Sequence, residues 1–512
     1  MNFISILYGL FLLSVLGIYW FVGQQKLRLW TLLIASVVFY ASLGGGGDSG
    51  TAAVATQVQY IPLLFALIYI NFRLGREIGE NTSPGKHNQD WQLSNEEWQF
   101  AQIDWNRRRL NLLWLGIILN VLLLLGFKYL QPTFKFLFHV PTTSTADSFK
   151  LIAPLGISFF TFECIAYLVD VYRGAPATKE FLKFAVYKFF FAKLISGPIT
   201  RFHTLANQFQ NLRFPSLDLV TEGLWLIARG AAKKRILADH LGIFVDVCFG
   251  NLQRAGSADL WLATFAYGLQ LYLDFSGYVD IARGTAMLFG LVLPENFKAP
   301  YFSTSIADFW RRWHVTLGDW LRNYLYFPLG GSRKGLDRTC LNLLIVMLIA
   351  GIWHGAALGF VVWGLFHGLA LVVHRLTDAI SDRFEDLENF WHKPLGTFVA
   401  WLLTQLMVFT SWIWFRLPNL NDSSLVFQHL FGHSADVQFA QKVYVEVLNI
   451  SQFQLTLLLG ALGMVMAGLY AFKQTLKLHL SWPIKLVFVP LCLYGVWMLA
   501  PDGSLPYIYF DF

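Results

Sequence analysis

The sequence is poor in charged residues and in cysteine, and each shortage excludes a class of protein. Asp, Glu, Lys and Arg make up 14% of its 512 residues, whereas a soluble globular domain usually carries about 25%. The four cysteines, Cys164, Cys248, Cys340 and Cys492, are far apart and form no Cys-x-x-Cys pair. This spacing argues against a zinc or iron–sulfur centre. We therefore expect a membrane protein without a bound metal.

Several motifs of soluble enzymes and of nucleic-acid-binding proteins are also missing. The chain has no Gly-x-Ser-x-Gly nucleophile elbow, no phosphate-binding P-loop and no His-Glu-x-x-His metal motif. It has no basic stripe with interleaved aromatic residues, which is the pattern of a nucleic-acid groove. The formal net charge of +7 comes from basic residues that cluster in short loops between apolar runs, so no nucleic-acid partner is expected.

What the sequence has in abundance is apolar and aromatic residues. Hydrophobic residues make up 55% of the chain and aromatic residues 17%, and apolar runs of about 18 residues or more recur along its length. This pattern predicts an all-α polytopic membrane protein with about 11–13 transmembrane or re-entrant helices. No internal repeat is visible, so we expect a single domain over residues 1–512. It would have N-terminal spans at 1–150, a central core at 151–375 and C-terminal spans at 376–512.

The distribution of Lys and Arg predicts how the chain crosses the membrane. Basic residues concentrate in the turn at 24–28 and in the polar stretch 71–109, whereas the glycine-rich loop at 44–50 has none. By the positive-inside rule the first two are cytoplasmic and the glycine-rich loop is external. The N-terminus is then external, and residues 3–22 form a retained first helix of a multi-pass protein in the cell (inner or plasma) membrane.

Residues 184–340 depart from the simple pattern of crossings. Apolar segments are shorter there and are interrupted at Gly197-Pro198, Gly223 and Gly230. Irregular backbone at membrane depth is tolerated only inside protein or along a cavity. We therefore expect this region to form the wall and floor of an internal chamber.

The same region carries charges that need partners. A basic cluster runs from Arg229 to Arg235. It either anchors the protein at the cytoplasmic interface or contacts an anionic donor or lipid headgroup. Further along, Asp280 and Arg283 are three residues apart, so on a helix they can form an ion pair.

The segment from Gly351 to Gly355, with the sequence Gly-Ile-Trp-His-Gly, places an imidazole at the end of a strongly apolar run. An ionisable residue inside a membrane is costly and is a functional-site hypothesis by default. A neutral imidazole can take a proton from a hydroxyl and return it to a leaving group, as acyl transfer requires. The flanking glycines would leave room for a substrate chain. The alternative for His354 is a core histidine that hydrogen-bonds a neighbouring helix.

A second histidine, His314, is a further candidate for a site residue. His314 follows Arg311, Arg312 and Trp313. The arginines either clamp the phosphates of a cytoplasmic donor such as coenzyme A or anchor the segment at the interface. We interpret His314 and His354 together as the mark of a membrane-embedded acyl-transfer site.

His367 is predicted to have a different role. On a straight helix it would lie about 20 Å beyond His354, which is too far to act on the same atom. We therefore expect it to be a helix-packing histidine.

Several segments of the chain resemble motifs of one family, the membrane-bound O-acyltransferases, and within it the alginate O-acetylation branch. In chain order they are Pro154-Leu155-Gly156-Ile157-Ser158-Phe159-Phe160-Thr161-Phe162, Asp170-Val171-Tyr172-Arg173-Gly174, Ser196-Gly197-Pro198-Ile199, Pro294-Glu295-Asn296-Phe297, the segments 308–314 and 321–332, and Gly351-Ile352-Trp353-His354-Gly355. The resemblance spans most of residues 1–370. The C-terminal Tyr509-Phe510-Asp511-Phe512 resembles the aromatic ending of the alginate-type branch, although Asp511 replaces the usual Gln.

The resemblance implies a ring of helices around a central tunnel, with His354 as the catalytic base and His314 as the second signature histidine. It also implies a donor-binding group made of Arg311, Arg312, Trp313 and Asn323. No tightly bound cofactor is expected, because acetyl-CoA or another acyl thioester would be a substrate. Acetyl groups would pass from this cytoplasmic donor to hydroxyls of an exported polysaccharide, directly or through a periplasmic SGNH-type acetyltransferase partner.

Three alternatives remain open on the sequence. The D-alanyl transferases of teichoic acid share the fold and many of these motifs, so D-alanine is a second possible acyl group. A proton-coupled transporter can also place histidines within the membrane, although no duplicated halves are visible. The third alternative is a non-catalytic scaffold of a secretion complex.

Overall fold

The computed structural model describes residues 3–43, 57–80, 107–137, 153–476, 480–503 and 505–510. The glycine-rich loop at 44–50 lies outside these residues, as does most of the polar stretch 71–109. In the described residues the chain is helical and has no strand, which confirms the all-α prediction. In the part of the chain that the structure describes, six helices are long and apolar enough to cross a membrane.

Within its described residues the N-terminal part contains the helices α1 (Ile6–Phe21), α2 (Gln25–Ser42), α3 (Ile61–Glu80) and α4 (Arg107–Leu137). α3 and α4 extend further into the polar stretch than the sequence predicted. The reason lies in Arg109, whose side chain is buried. Its guanidinium donates hydrogen bonds to the carbonyls of Ile78 (3.0 Å) and Tyr172 (2.8 Å). The bond to Ile78 links the start of α4 to the end of α3.

The central part begins with α5 (Ile157–Tyr172), α6 (Phe181–Phe189), α7 (Phe202–Ala206), α8 (Leu217–Ala232), α9 (Asp239–Phe249) and α10 (Ser257–Leu288). A π-helical segment, Lys233–Ala238, joins α8 to α9 without a break. The predicted interruption of the helix at Gly223 and Gly230 is therefore wrong. A Cβ on Gly223 would lie 2.9 Å from the carbonyl oxygen of Gly284, and one on Gly230 would lie 2.5 Å from that of Gly277. These glycines let α8 and α10 pack with their backbones in contact.

The charges of this region pair across the close contact between α8 and α10. Asp280 accepts hydrogen bonds from Arg229 (2.8 Å) and Lys233 (2.8 Å). Arg283 instead lies 3.5 Å from Glu295. The predicted pair between Asp280 and Arg283 is wrong, because the facing helix supplies nearer cations than the same helix does. A buried carboxylate requires such partners.

The chain then forms two short helices, α11 (Ile306–Arg312) and α12 (Val315–Leu321), a π-helical segment (Arg322–Tyr326), and the long helices α13 (Leu336–His354) and α14 (Leu358–Ser381). α13 ends at His354, and α14 runs back along it. The two helices can approach closely here because glycine has no side chain. A Cβ on Gly351 would lie 3.0 Å from the Cα of Gly364. This hairpin turns the two histidine-bearing helices towards the same interior.

The C-terminal part contains α15 (Glu385–His392), α16 (Pro394–Arg416), α17 (Leu420–His429), α18 (Val437–Ala440), α19 (Gln452–Leu476) and α20 (Trp482–Leu499). In α19 and α20 almost none of the apolar span is buried by protein, as expected of helices that face lipid. The chain that follows α20 turns back into the protein, and its described residues, 500–503 and 505–510, are here called the tail. Its Tyr507 and Tyr509 are buried.

Candidate active site

His354 is the last residue of α13 and lies among aromatic rings. Its side chain is buried. The ring centroid of Trp353 is 4.5 Å from that of the imidazole, that of Phe415 is 4.8 Å away and that of Trp363 is 5.1 Å away. These rings separate His354 from bulk solvent. The imidazole is therefore kept from exchanging protons with bulk water.

The space beside His354 that the glycines were expected to leave is occupied by protein. A Cβ on Gly355 would lie 2.7 Å from the ring of Phe360, and the face of α13 at Gly351 is covered by α14. The glycines therefore bring two helices together at this point. A substrate has to reach His354 from another side.

The carbonyl groups at the end of α13 are held by α4. The Lys128 Nζ donates to the carbonyl oxygen of Trp353 (2.6 Å), and the Tyr129 hydroxyl donates to those of Ile352 and Gly355. The last carbonyls of a helix have no partner within the helix, so these bonds fix the segment that carries the imidazole. Nothing in the sequence pointed to this contact, since the two segments are far apart along the chain.

His314 connects α11 to α12 and is equally buried. Its backbone is in the left-handed region (φ 44°, ψ 52°), which is uncommon for a residue other than glycine. The imidazole Nδ1 is 3.1 Å from Asn296 Oδ1. Its ring stacks beside Phe159 (6.0 Å) and meets the edge of Phe275 (4.9 Å). Burial lowers the pKa of His314 to about 3, so the ring is neutral at physiological pH.

Tyr509, in the tail, connects the surroundings of the two histidines. Its ring centroid is 6.0 Å from that of His314 and 6.3 Å from that of His354. It stacks on Phe275 at 3.8 Å. In the sequence this tyrosine stands out only as part of an aromatic ending, which predicts no role for it. In the structure it is a site residue that contacts both predicted histidines.

The tail is held in place by part of the basic cluster. The Lys234 Nζ is 2.6 Å from Asp274 and 2.8 Å from Asp239, and it also donates to the carbonyl oxygen of Pro506 (3.1 Å). The second carboxylate oxygen of Asp274 accepts from the backbone N–H of Ile508 (3.0 Å). All three ionised side chains are buried. They form a paired network that positions Tyr509.

A cavity of about 250 Å³ opens next to the His314 segment. Its lining includes Thr200, Arg201, Thr316, Asp319 and Tyr324. Thr316 is two residues after His314, and its hydroxyl lies 2.9 Å from the same Asn296 oxygen that the imidazole contacts. The lining of the cavity therefore includes a basic side chain, that of Arg201, and Thr316, which contacts the residue that holds His314.

Aromatic rings connect this cavity to His354. Trp320, also in the lining, stacks on Phe162 at 4.2 Å, and Phe162 stacks on Trp353 at 5.1 Å. Behind the cavity wall, the buried Glu163 accepts from Lys193 (2.6 Å) and Lys188 (3.1 Å). One carboxylate therefore faces two ammonium groups, which leaves this side of the cavity with an excess of positive charge.

The four residues predicted to bind the donor have different surroundings. Arg311 is 68% exposed at its side chain, whereas Arg312 pairs with Asp308 at 2.8 Å. Trp313 is buried among aromatic rings, and the side-chain amide of Asn323 donates to the carbonyl oxygen of Asp319 (2.7 Å). The structure does not gather them around one space. Their donor-binding role stays a prediction, and Arg201 is the arginine that lines the cavity.

His367 is nearer to His354 than a straight helix would allow. The ring centroid of Trp363 is 4.8 Å from that of His367 and 5.1 Å from that of His354. The expected separation was wrong because the helix ends at His354 and reverses. The side chain nevertheless makes the contact of a packing histidine, since Nε2 lies 2.9 Å from the hydroxyl of Ser411 on α16.

Comparison with known proteins places this arrangement in a family. Residues 157–412 match MBOAT, the membrane-bound O-acyltransferase family. This segment contains both histidines, the lining of the cavity and most of the helices that enclose them. It ends before the tail that carries Tyr509.

Named relatives extend the similarity to the rest of the chain. The chain is 33% identical to the probable alginate O-acetylase AlgI of Pseudomonas putida, over 98% of both chains. It is 34% identical to the peptidoglycan O-acetyltransferase of Helicobacter pylori, over 79% of this chain and 74% of the relative. It is 28% identical to the teichoic acid D-alanyltransferase of Streptococcus thermophilus, over 54% of this chain and 72% of the relative. The chain is thus a multi-pass acyltransferase that belongs to the membrane-bound O-acyltransferase family.

Proposed function

We propose that this enzyme moves acetyl groups from a cytoplasmic acyl thioester, such as acetyl-CoA, to hydroxyl groups of an exported polysaccharide. The observation that carries the proposal is the buried site itself, in which the Tyr509 ring lies 6.0 Å from the His314 ring and 6.3 Å from the His354 ring, measured between centroids. The names of the acetylating relatives from Pseudomonas putida and Helicobacter pylori support acetate as the acyl group and a polymer of the cell surface as the acceptor.

In the proposed reaction His354 is the general base. The acceptor hydroxyl attacks the thioester carbonyl, so that a C–O bond forms and the C–S bond breaks. His354 takes the proton from the hydroxyl and passes it to the leaving thiolate. The surrounding aromatic rings favour this role because they keep the proton from exchanging with solvent. A positioned base of this kind contributes about 10²–10⁴-fold in rate.

The donor is proposed to enter through the cavity beside His314. Arg201 lines this cavity and can pair with a phosphate of the donor through its guanidinium. The excess positive charge behind the wall, from Lys188 and Lys193 facing Glu163, favours an anionic ligand further. The stacked rings from Trp320 to Trp353 then form one side of a path towards His354.

The proposal extends to the setting of the enzyme. The chain would lie in the cell (inner or plasma) membrane with its N-terminus outside, and lipid would cover the exposed apolar faces of α19 and α20. On the outer side it would hand the acetyl group either to the polysaccharide or to a periplasmic SGNH-type acetyltransferase. A cysteine placed at the N-terminus should then react with a membrane-impermeant thiol reagent in intact cells.

A strain that lacks this gene, complemented with the wild-type chain, tests the function. Mild base should release acetate from the cell-surface polysaccharide of the complemented strain and not from that of the deletion strain. Release of D-alanine instead would favour the D-alanyl transferase. A smaller amount of polymer whose acyl content per polymer is unchanged would favour a scaffold. In proteoliposomes, uptake of substrate without any acyl donor would favour a transporter.

The donor can be tested separately from the acceptor. Inverted membrane vesicles of the complemented strain should transfer label from acetyl-labelled coenzyme A to the polysaccharide fraction. Vesicles of the deletion strain are the control. Transfer from a labelled acyl carrier protein but not from the coenzyme A thioester would contradict acetyl-CoA as the donor and leave the acyltransferase reaction in place.

A further inference from the structure

Asn296 belongs to the segment Pro294-Glu295-Asn296-Phe297, to which the reaction described above assigns no role. The side chain is buried. Its Oδ1 lies 3.1 Å from the backbone nitrogen of Thr316, 2.9 Å from the Thr316 hydroxyl and 3.1 Å from the Nδ1 of His314. A single amide oxygen thus contacts three groups of the segment that carries the second histidine.

The direction of these hydrogen bonds follows from the chemistry of the donors. A backbone N–H can only donate, so the Asn296 atom that faces Thr316 must be the carbonyl oxygen and not the amide nitrogen. The Thr316 hydroxyl already accepts from the backbone N–H of Ile199 (3.1 Å), and its proton is available for Asn296. Because the Asn296 oxygen is an acceptor only, the His314 nitrogen that faces it must carry a proton.

We propose that Asn296 is a positioning residue that fixes His314 in the tautomer with its proton on Nδ1. In the neutral ring Nε2 is then the nitrogen that can accept a proton or a hydrogen bond. Among the described residues this buried Nε2 has no hydrogen-bond partner, and neither has the amide nitrogen of Asn296. Both atoms are therefore left for a bound ligand or water. The inference rests on the proposed acyl transfer for its role but not for its geometry.

The backbone supports the same conclusion. The carbonyl oxygen of Asn296 accepts from the N–H of Val315 (3.0 Å), and the N–H of Lys298 donates to the carbonyl of Arg312 (2.9 Å). These two hydrogen bonds hold the backbone before His314, at Arg312, and after it, at Val315. A left-handed conformation such as that of His314 persists only when its surroundings over-determine it. The groups that face the ring are Phe159, Phe275 and the phenol of Tyr509. The centroid of the Tyr509 ring is in turn 6.3 Å from that of His354.

Replacement of Asn296 should change the reaction in a way that packing alone would not. In Asn296→Ala the acceptor for Nδ1–H is lost, so kcat should fall by about tenfold or more while KM for acetyl-CoA stays within about twofold. In Asn296→Asp a carboxylate still accepts all three hydrogen bonds. This variant should recover most of the rate at about pH 8, and the acid limb of its pH profile should lie at a higher pH than that of the wild type, since a carboxylate raises the pKa of a neighbouring imidazole.

The matched control is Asn120→Ala, which removes a buried asparagine whose side-chain amide donates to Asn71 (2.8 Å) and to the carbonyl oxygen of Gly116 (2.8 Å). It should lower the yield of folded protein without changing the pH profile. The inference is overturned if Asn296→Asp is as inactive as Asn296→Ala at every pH. It is also overturned if the loss in Asn296→Ala lies in KM, or if Asn120→Ala gives the same pH profile as Asn296→Asp.

A direct measurement keeps the inference separate from the proposed function. In ¹⁵N-histidine-labelled protein in lipid bilayers, the His314 signal is identified by its absence in His314→Gln. It should show a protonated Nδ1 and an unprotonated Nε2 at neutral pH. A neutral ring with its proton on Nε2 would overturn the inference even if acetyl transfer is normal. Wild-type protein that transfers no acyl group but has the expected tautomer would contradict only the proposed function.

Discussion

The two histidines at the centre of this molecule are held in opposite ways. His314 has a left-handed backbone and a polar partner, Asn296, at 3.1 Å. His354 ends a regular helix and is surrounded by the rings of Trp353, Trp363 and Phe415. The first arrangement fixes which nitrogen carries the proton, and the second excludes water around the ring. Two residues of one type are thereby suited to two different tasks.

This difference separates orientation from proton transfer. A ring with a fixed tautomer can hold a hydrogen-bonding group of the substrate in one direction. A ring in a dry aromatic site can exchange a proton with the reacting atoms alone. We therefore expect substitutions at His354 to affect the chemical step most strongly, and those at His314 to affect it less.

The largest effect is expected for His354→Ala. Removal of the proposed general base should lower the rate of polymer acetylation by about a thousandfold, within the range for such groups. The measurement is base-released acetate from the complemented deletion strain, with the amount of protein in the membrane as the control. Acetylation at the wild-type level with normal protein levels would remove His354 from the mechanism.

The next effect is expected for His314→Ala, at about a hundredfold, because the variant loses an orienting group while the base remains. Addition of imidazole to the two alanine variants sharpens the comparison. At position 354 the imidazole has to enter a space enclosed by aromatic rings. At position 314 it has to enter a segment that borders the cavity and carries polar groups. We expect partial rescue in the His314 variant and none in the His354 variant. The opposite order would exchange the two roles.

Much of this site could be predicted from the sequence because its chemistry is local. An imidazole in an apolar run, as at His354, and one beside arginines, as at His314, are unusual enough to be recognised without a structure. The all-α architecture followed from composition and the length of apolar runs. Each of these signals depends on residues that are close together along the chain.

The rest of the site depends on contacts between distant segments. Tyr509 reaches the histidines only because Lys234 and Asp274 hold the tail, and no periodicity in the sequence reports such a contact. Gly230 looked like an interruption but is a close approach of two helices. His367 was placed too far away because the helix was assumed to continue past His354.

A loss of about fivefold is expected for Tyr509→Phe. The ring keeps its stack on Phe275 (3.8 Å), and the backbone carbonyl still accepts from Ser196 (3.0 Å). Only the phenol oxygen is removed, and one hydrogen bond is worth about 1 kcal/mol, or about fivefold in rate. The measurement is acetyl transfer in membrane vesicles. An unchanged rate would mean that Tyr509 serves only to fill the space between the two histidines.

The smallest effects on kcat concern the donor, and they compare two arginines. Arg201→Ala should raise KM for acetyl-CoA by about tenfold with kcat nearly unchanged, because a charge-assisted contact to phosphate contributes to binding in both the ground state and the transition state. Arg311→Ala should change KM by less than about twofold, since an exposed ion pair contributes little. Both are measured in inverted vesicles with labelled acetyl-CoA, and the comparison cancels any general effect of losing a positive charge. The reverse order would place the donor at the exposed arginine, as the sequence predicted. It would also move the entry path away from the cavity beside His314.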